Sequence, residues 1–438
     1  MYATDSALSD KPIPLKTPEE LPGRTPPILE IGPDFLGAGN IPDGIELPTG
    51  AVWTPALWVF GSYRTAFNYF DDGSKGNNEV AEWANRLDLF FNLHLSGTER
   101  VLLGLQPLHR NDNFSGYIFK PDRNDGFENA LNGNIKTLFF EGDFGEIFPN
   151  LDPKDQGSFD LGFAVGRQPI FFEDGIMFND TIDAVGLTRD TVMFRDLSVD
   201  TRITGLFGWD NVNRDDNRRD ANAMVFGLFT ETDLRPATTN LDFAYVRSTS
   251  REDGDGAYLG VGSTQRIGLL NTTLRANGSL AVDKESDAVS DGALLSAEVS
   301  TTPFGTEDVA YGNFFVGIKK YSSAARDELA GGPLGQVGLL FAAVGLGNYG
   351  APLSNRADNV AGGSLGYQKF WNQARTQVVL EVGGRKGTKA GIDDAGAIGG
   401  RFQQAIGDRV IWRVDSFARW VEDLNEGFGA RTELQVRF

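Results

Sequence analysis

Three short stretches contain residue types that could support catalysis. The segment Gly362–Gly366 has the Gly-x-Ser-x-Gly spacing of a serine-hydrolase elbow, but that motif requires a strand-to-helix turn and here it lies in a segment that alternates apolar and polar residues. His94 and Ser96 form a His-x-Ser pair, which would have to face lipid to meet a lipid substrate, whereas the alternation turns His94 to the polar side. The segment Gly383–Gly387 lacks the spacing and the Ser/Thr of a phosphate-binding loop.

The composition gives catalysis few other candidates. The 438 residues include no cysteine, which excludes a thiol nucleophile and a disulfide framework. They include only two histidines, which disfavours a zinc site and a His-dependent triad. We therefore predict that the protein is not an enzyme.

Acidic residues exceed basic ones by 60 to 40, which gives a net charge of -20. None of the acidic groups has the ligand spacing of an EF-hand loop. Most of them fall at expected loop tips, where solvated charge is the simpler interpretation and binding of calcium, or of the divalent cations of lipopolysaccharide, is the alternative. We predict no resident cofactor and no nucleic-acid partner, with loop-bound calcium left open. The groups lie at 71–72, 215–216, 252–255, 283–291 and 393–394.

The dominant pattern from residue 52 onward is strict alternation. Between Leu87 and Leu95 every odd position is apolar, and Asp88, Asn92 and His94 share the other face. Alternation of this length predicts β-strands with one apolar and one polar face. Glycines and aromatic residues dominate the apolar face, and long charged side chains dominate the polar one, which is typical of a transmembrane barrel with lipid outside and water inside.

Counting these segments predicts an all-β, antiparallel barrel of about 18 strands. The even number places both termini on one side, expected to be the periplasm, because bacterial barrels have short periplasmic turns and long external loops. We expect the barrel in the bacterial outer membrane, in contact with its lipid and lipopolysaccharide. The predicted strands are 56–70, 82–95, 99–108, 135–144, 158–167, 181–193, 200–209, 221–232, 239–249, 256–267, 269–282, 291–302, 308–321, 359–371, 375–386, 395–406, 409–421 and 427–438.

Residues 1–50 differ from the rest, since nine of the 19 prolines lie there. Proline-rich chain favours extended structure over helices or central strands. We expect a periplasmic N-terminal arm that packs on the barrel of residues 51–438. The alternatives are an arm that binds a periplasmic protein partner and a plug inside the lumen.

Arginine is prominent on the polar face of the predicted strands, although the chain as a whole is acidic. These arginines could pair with neighbouring carboxylates and brace the wall, or they could raise the local concentration of anions in the lumen. The second interpretation predicts pore-lining roles for Arg64, Arg86, Arg202, Arg275, Arg375, Arg385, Arg401, Arg413, Arg419 and Arg431.

The uncharged, glycine-rich stretch 331–350 is unusual for an exposed loop. Its apolar residues favour burial, so we expect it to fold into the barrel and narrow the pore. An extra strand is the alternative.

The stretch Val165–Gly175 resembles the alginate export family of outer-membrane barrels, whose members have a Gly-Arg-Gln strand end followed by Asp-Gly. The matching positions are Arg167, Gln168, Asp174 and Gly175. The resemblance covers about 30 residues and implies an 18-stranded barrel with a positively charged lumen, used by an acidic polysaccharide or by smaller solutes. The proline-rich start departs from that family.

Together these observations predict a porin, a passive channel for hydrophilic solutes that are anionic, or for an acidic polysaccharide. The alternative is a structural or assembly barrel that holds a partner protein through its N-terminal arm.

Overall fold

The computed structural model describes residues 25, 27–33, 43–74, 79–121, 124–154, 157, 159–194, 198–250 and 252–438. Much of the expected N-terminal arm, residues 1–24, 26 and 34–42, lies outside the described residues. The predicted 18-stranded antiparallel barrel is confirmed. Its strands are β1 Ala56–Asp71, β2 Val80–His94, β3 Arg100–Leu105, β4 Ile135–Asp143, β5 Gly162–Phe172, β6 Phe178–Arg189, β7 Asp200–Asp210, β8 Ala223–Asp233, β9 Ala237–Ser248, β10 Gly256–Ile267, β11 Leu270–Ala281, β12 Gly292–Thr301, β13 Val309–Lys320, β14 Asp358–Trp371, β15 Thr376–Gly387, β16 Ala395–Ile406, β17 Val410–Val421 and β18 Gly427–Arg437.

Each strand pairs with the next, and β18 pairs with β1 to close the ring. The closing register runs from Phe428 opposite Asp71 to Arg437 opposite Ser62. Closure matters because an unpaired strand edge would expose backbone amides that lipid cannot satisfy.

The outer surface carries the apolar half of the alternation. On β8, Met224, Phe226 and Leu228 are exposed, whereas Val225 between them is fully buried toward the interior. Trp412 and Trp420 likewise lie on the outer face of β17 and are exposed. A continuous apolar exterior is stable against hydrocarbon rather than water.

The two rims of the barrel differ in the length of their connections. The rim next to Phe438, here called the terminal rim, has short turns such as 234–236, 268–269 and 407–409. Its longest turn, 144–161, contains the one-turn helix Phe144–Ile147 and the 3-10 turn Pro149–Leu151. The opposite rim, here called the loop rim, has long connections. Those described include short strands at His109–Arg110, Asn113–Lys120, Gly126–Glu128, Val212–Asn213 and Arg219–Asp220.

A short segment of the N-terminal region continues the wall at the terminal rim. The strand Leu29–Ile31 pairs with Leu57–Val59 of β1, along the part of the β1 edge that β18 does not reach. Farther on, Ile45–Glu46 pairs with Val52–Trp53. These segments therefore lie at the same rim as Phe438.

The predicted boundaries of the fifth and sixth strands, 158–167 and 181–193, are wrong. β5 continues to Phe172 and β6 begins at Phe178. Pro169 is compatible with this longer strand because β4 pairs with β5 only as far as Arg167. Beyond that point one edge of β5 has no neighbouring ladder that would need the missing N–H.

Helices contribute almost nothing to the fold. Within the described part of the chain, none is long and apolar enough to cross a membrane.

Candidate functional site

Two segments from the loop rim fold into the barrel and define its interior. The first is the end of the β5–β6 hairpin, residues 168–182, here called the lumenal hairpin. The second is the connection 321–357 between β13 and β14, here called the lumenal loop. The stretch 331–350 thus lies within the lumen as a loop, with a 3-10 turn at Pro333–Gln336 and no added barrel strand.

The lumenal loop is bonded to one wall of the barrel through β13, β14 and β15. The Glu381 carboxylate accepts hydrogen bonds from the backbone N–H groups of Leu339, at 3.0 Å, and Leu340, at 2.8 Å. Ser364 and Asn313 both donate to the carbonyl of Val337. These contacts fix residues 337–340 against the wall.

The same loop is also bonded to the wall formed by β1 and β2. Glu82 accepts from the backbone N–H of Asn348 and, at 2.9 Å, from its side-chain amide. Asn68 donates to the carbonyl of Leu346 at 3.1 Å. Since β1–β2 and β13–β15 are different sectors of the ring, the loop crosses the lumen between them.

Apolar residues of the lumenal loop form a core inside the barrel. Leu334, Leu340, Phe341, Leu346 and Leu353 are all at most 1% exposed. This burial explains why the stretch 331–350 of the loop is uncharged and rich in apolar residues: these side chains are removed from lumenal water, which stabilises the folded loop.

The four motif residues all belong to the lumenal hairpin or to its base. Arg167 forms a bidentate ion pair with Asp183 on β6, with distances of 2.7 and 2.8 Å. Gln168 is buried and donates to the carbonyl of Ala184 at 3.0 Å. Both contacts join β5 to β6 at the point where the hairpin leaves the wall.

The turn of the hairpin contains the other two motif residues. Asp174 pairs with Arg275 of β11. Gly175 has a φ of +79°, a conformation that glycine adopts readily, and its carbonyl accepts a hydrogen bond from Arg326 of the lumenal loop at 2.6 Å. The sequence motif therefore coincides with the structural element that bends inward.

Four of the predicted arginines meet in one network on adjacent strands. Glu433 of β18 pairs with Arg64 at 2.9 Å, Arg413 at 2.8 Å and Arg431 at 2.6 Å. Asp415 of β17 pairs with Arg401 at 2.6 Å and with Arg431 at 2.5 Å. Four guanidinium groups thus share two carboxylates, a formal excess of two positive charges. Arg431 is buried, whereas the side chains of Arg401 and Arg413 are partly exposed, at 28% and 18%.

The remaining predicted arginines have other surroundings. Arg86, Arg385 and Arg419 donate to lumenal-loop carbonyls at Gly345, Ser354 and Pro352, so they help to hold the loop. Arg202 and Arg275 line a cavity beneath the lumenal hairpin. Arg375 lies in the turn after β14 and donates to the Gly407 carbonyl, which places it at the terminal rim rather than within the channel.

Open space remains on both sides of the lumenal hairpin. Toward the terminal rim lie two cavities of about 590 and 690 Å³ that share Phe171, Phe172, Arg202 and Thr204. Toward the loop rim lies a vestibule of about 500 Å³ whose lining includes Arg110, Lys136, Arg167, Arg219 and Glu328. The hairpin therefore separates an outer vestibule from an inner chamber.

A buried charged centre joins the two inward segments, and no motif or periodic pattern in the sequence points to it. Arg326 is 2% exposed and donates to the carbonyls of Gly175, Gly331 and Gly332. Burial lowers the pKa of Arg326 to about 10, although the Asp215 carboxylate partly offsets that effect. Burial also raises the pKa of Asp215, which accepts a hydrogen bond from the backbone N–H of Ser323. A charge in a glycine-rich loop has no periodic pattern that would reveal its partners.

No set of three or more His, Asp or Glu side chains placed to hold a metal ion is found among the residues that the structure describes. Loop-bound calcium stays a hypothesis without a ligand set there.

Comparison with solved structures places the fold among outer-membrane β-barrel porins. The chain is similar to a BenF-like porin from Pseudomonas fluorescens Pf-5, with a TM-score of 0.58, 10% identity, and coverage of 87% of this chain and 98% of that one. It is similar to OccK2 (OpdF) from Pseudomonas aeruginosa, with a TM-score of 0.56, 10% identity, and coverage of 87% and 97%. OccK2 has also been solved in complex with glucuronate.

Another similar barrel is Wzi from Escherichia coli, described as a carbohydrate-binding barrel involved in group 1 capsule assembly. Its TM-score is 0.53, at 10% identity, with coverage of 86% of this chain and 84% of that one. No family model and no curated protein matches the sequence. The porin fold and the predicted outer-membrane location are thus supported, whereas the finer resemblance to the alginate export family gains no support.

Proposed function

We propose that the protein is a passive outer-membrane channel for small hydrophilic solutes with a preference for anions, with its terminal rim in the periplasm. The observation that carries the proposal is the shared network of Arg64, Arg401, Arg413 and Arg431 with only two carboxylates. A fixed excess of positive charge within a low-dielectric wall raises the local concentration of anions.

The mechanism requires no covalent chemistry. The partly exposed guanidinium groups of Arg401 and Arg413 offer a passing carboxylate or phosphate a charge-assisted hydrogen bond. Their own carboxylate partners compete for the same donors, which keeps the binding of a solute weak enough for release.

The size of the passage favours small solutes over a polysaccharide. The lumenal loop crosses the interior and the lumenal hairpin divides what remains, so the chambers measure about 500 to 690 Å³. These volumes suit a molecule of the size of a monosaccharide acid. The structural likeness to OccK2, which binds glucuronate, is compatible with this class of solute.

Ion selectivity in a reconstituted bilayer tests the proposal. Under a salt gradient, we expect a reversal potential that indicates anion preference, and a shift toward cations when Arg401→Gln and Arg413→Gln are combined. Arg375→Gln is the matched control, because Arg375 lies at the terminal rim. Cation preference of the unmodified channel would refute the proposal.

The assembly-barrel alternative is favoured by a different observation, the lumenal loop and hairpin that occupy the interior. If the protein serves to hold a partner, purified barrels should pass almost no current and should retain a bound protein. Removal of residues 1–50 would then release that partner. Stable conducting steps from the isolated protein would argue against this alternative.

A further inference from the structure

The turn of the lumenal hairpin holds an unusual carboxyl pair. Glu173 is 8% exposed, and neither of its carboxylate oxygens has a hydrogen-bond donor. Asp242 of β9 is 2% exposed and lines the same cavity as Glu173, where the two carboxyl groups interact. Two buried carboxyl groups in contact repel each other when both are ionised, but they attract when they share one proton.

The wall beneath Glu173 is shaped to receive its side chain. A Cβ atom on Gly260 would lie 2.9 Å from both Cγ and Oε1 of Glu173, so that strand position leaves the necessary space. Asn277 borders the same space, is 2% exposed, and has no partner for either of its side-chain polar atoms. The turn is therefore seated in a polar recess of β10 and β11.

The backbone at this point is strained. Glu173 and Asp174 have φ values of +52° and +48°, in the left-handed region that such residues rarely adopt. A conformation of this kind persists only when surrounding contacts hold it. The packing of the Glu173 side chain in the recess of β10 and β11 is one of those contacts.

The charged groups around Glu173 do not remove the repulsion. Asp174 of the turn, Glu231 of β8 and Glu298 of β12 add negative charge, and Tyr321 approaches from the lumenal loop. Arg202 of β7 is near Glu231 and Asp190, and Arg275 of β11 is shared among Asp174, Glu298 and Glu173, with the last of these at 3.6 Å. One arginine divided among three carboxyl groups cannot neutralise the pair.

We propose that Glu173 and Asp242 share one proton and that this proton acts as a latch. While it is bound, it holds the turn of the lumenal hairpin in the recess. When it is lost, the Glu173 side chain leaves the recess and widens the chamber toward the terminal rim. The inference rests on the proposed channel function, to which it adds control of the pore by pH.

The direction of the pH effect follows from the titration of Glu173. Burial, and secondarily the charge of Asp242, raise the pKa of Glu173 from 4.5 to about 7. A carboxyl group that binds its proton more tightly in the seated state favours seating at low pH. Seating is fully favoured below about pH 4.5 and weakens about tenfold per unit up to about pH 7, or roughly 300-fold in total.

A single introduced cysteine can report the state of the latch without any measurement of transport, since the chain has none of its own. Asn277→Cys places a thiol in the recess covered by Glu173. Phe304→Cys, at a position that is 87% exposed, corrects for the ordinary rise of thiol reactivity with pH. We expect the ratio of their maleimide labelling rates to rise by up to about 100-fold between about pH 5 and about pH 8.

Charge-neutral variants separate the latch from general effects of pH. Glu173→Gln, in the Asn277→Cys background, should remove the pH dependence of labelling. Glu141→Gln, which changes a partly exposed carboxylate that lines the neighbouring cavity and pairs with Arg100, should leave the dependence intact. A labelling ratio that does not change with pH would overturn the latch, as would a response to millimolar calcium at constant pH, which would indicate a metal in place of the proton.

Single-channel recordings over the same pH range complete the test. We expect larger conductance steps above about pH 7, and steps insensitive to pH in Glu173→Gln. Labelling that responds to pH in a barrel that never conducts would leave the latch in place and reject the channel function. Conduction together with labelling that is insensitive to pH would reject the latch and leave the channel function in place.

Discussion

Replacement of Glu381 by alanine should release the lumenal loop from one wall without opening the barrel. The Glu381 carboxylate accepts two backbone hydrogen bonds, from Leu339 and Leu340, and a third from the Tyr311 hydroxyl. A hydrogen bond to a charged group contributes about 1.5–3 kcal/mol, so losing the two backbone bonds should cost about 3–6 kcal/mol of local stability. The strand ladders on either side of Glu381 on β15 remain unchanged.

Hydrogen–deuterium exchange measures this cost directly, because the amides of residues 339 and 340 exchange through local opening of the loop. At about 1.4 kcal/mol per factor of ten, protection of peptides that cover 337–341 should fall by about 10² to 10⁴. In planar bilayers, the same variant should show larger current fluctuations. Glu141→Ala is the matched control, since Glu141 pairs with Arg100 on the neighbouring strand and has no contact with the loop. Unchanged exchange at 337–341 in Glu381→Ala would refute the assignment of this carboxylate as an anchor.

Three further outcomes test the interior and the loop rim. Gly347→Ala should loosen the opposite anchor of the lumenal loop, because its Cβ would lie 2.1 Å from Oε1 of Glu82 and the φ of +69° disfavours any side chain. Hydrogen–deuterium exchange at 346–348 should become faster, and an unchanged rate would contradict the close contact. Deletion of 332–350 should raise single-channel conductance, since that segment crosses the lumen, and an unchanged value would reject its role as a constriction. Burial lowers the pKa of His109 to about 4, so its imidazole should stay neutral as the pH falls through 6.5. The loop 106–134 should then lose stability between about pH 6.5 and pH 4. An NMR titration of the two histidines, with His94 as the second signal, would contradict this if His109 titrated near 6.5.

The barrel could be predicted from the sequence because each strand has lipid on one face and lumenal water on the other. Lipid selects apolar residues at one parity and the lumen selects polar residues at the other, so alternation marks almost every span. The predicted strands 256–267 and 395–406, for example, match β10 and β16. The lumenal loop was also foreseeable, since its apolar residues needed burial that an exposed loop could not provide.

The interior contacts were less accessible to this reasoning. The predicted bounds of β5 and β6 are wrong because the lumenal hairpin leaves the wall near Arg167. Beyond that point neither face of the hairpin contacts lipid, so apolar and polar residues no longer alternate as they do in the wall. Glu381 and Arg326 bond to segments that are adjacent only after the ring has closed, so their spacing in sequence says nothing about their partners. Alternation predicts which arginines share the polar face of a strand, but the pairing of four of them with two carboxylates depends on the strand register, and Arg375 lies in a turn at the terminal rim.

The seam between β18 and β1 has a consequence for biogenesis. Gly61 and Phe438 exchange backbone hydrogen bonds at 2.7 and 3.1 Å, so the ring is completed by partners separated by nearly the entire polypeptide. No intermediate that lacks the final strand can satisfy the free edge of β1 beyond the short patch bonded to Leu29–Ile31. In a nascent or truncated barrel that edge therefore stays unpaired until the last span arrives, which makes closure of the ring a late, non-local step of folding.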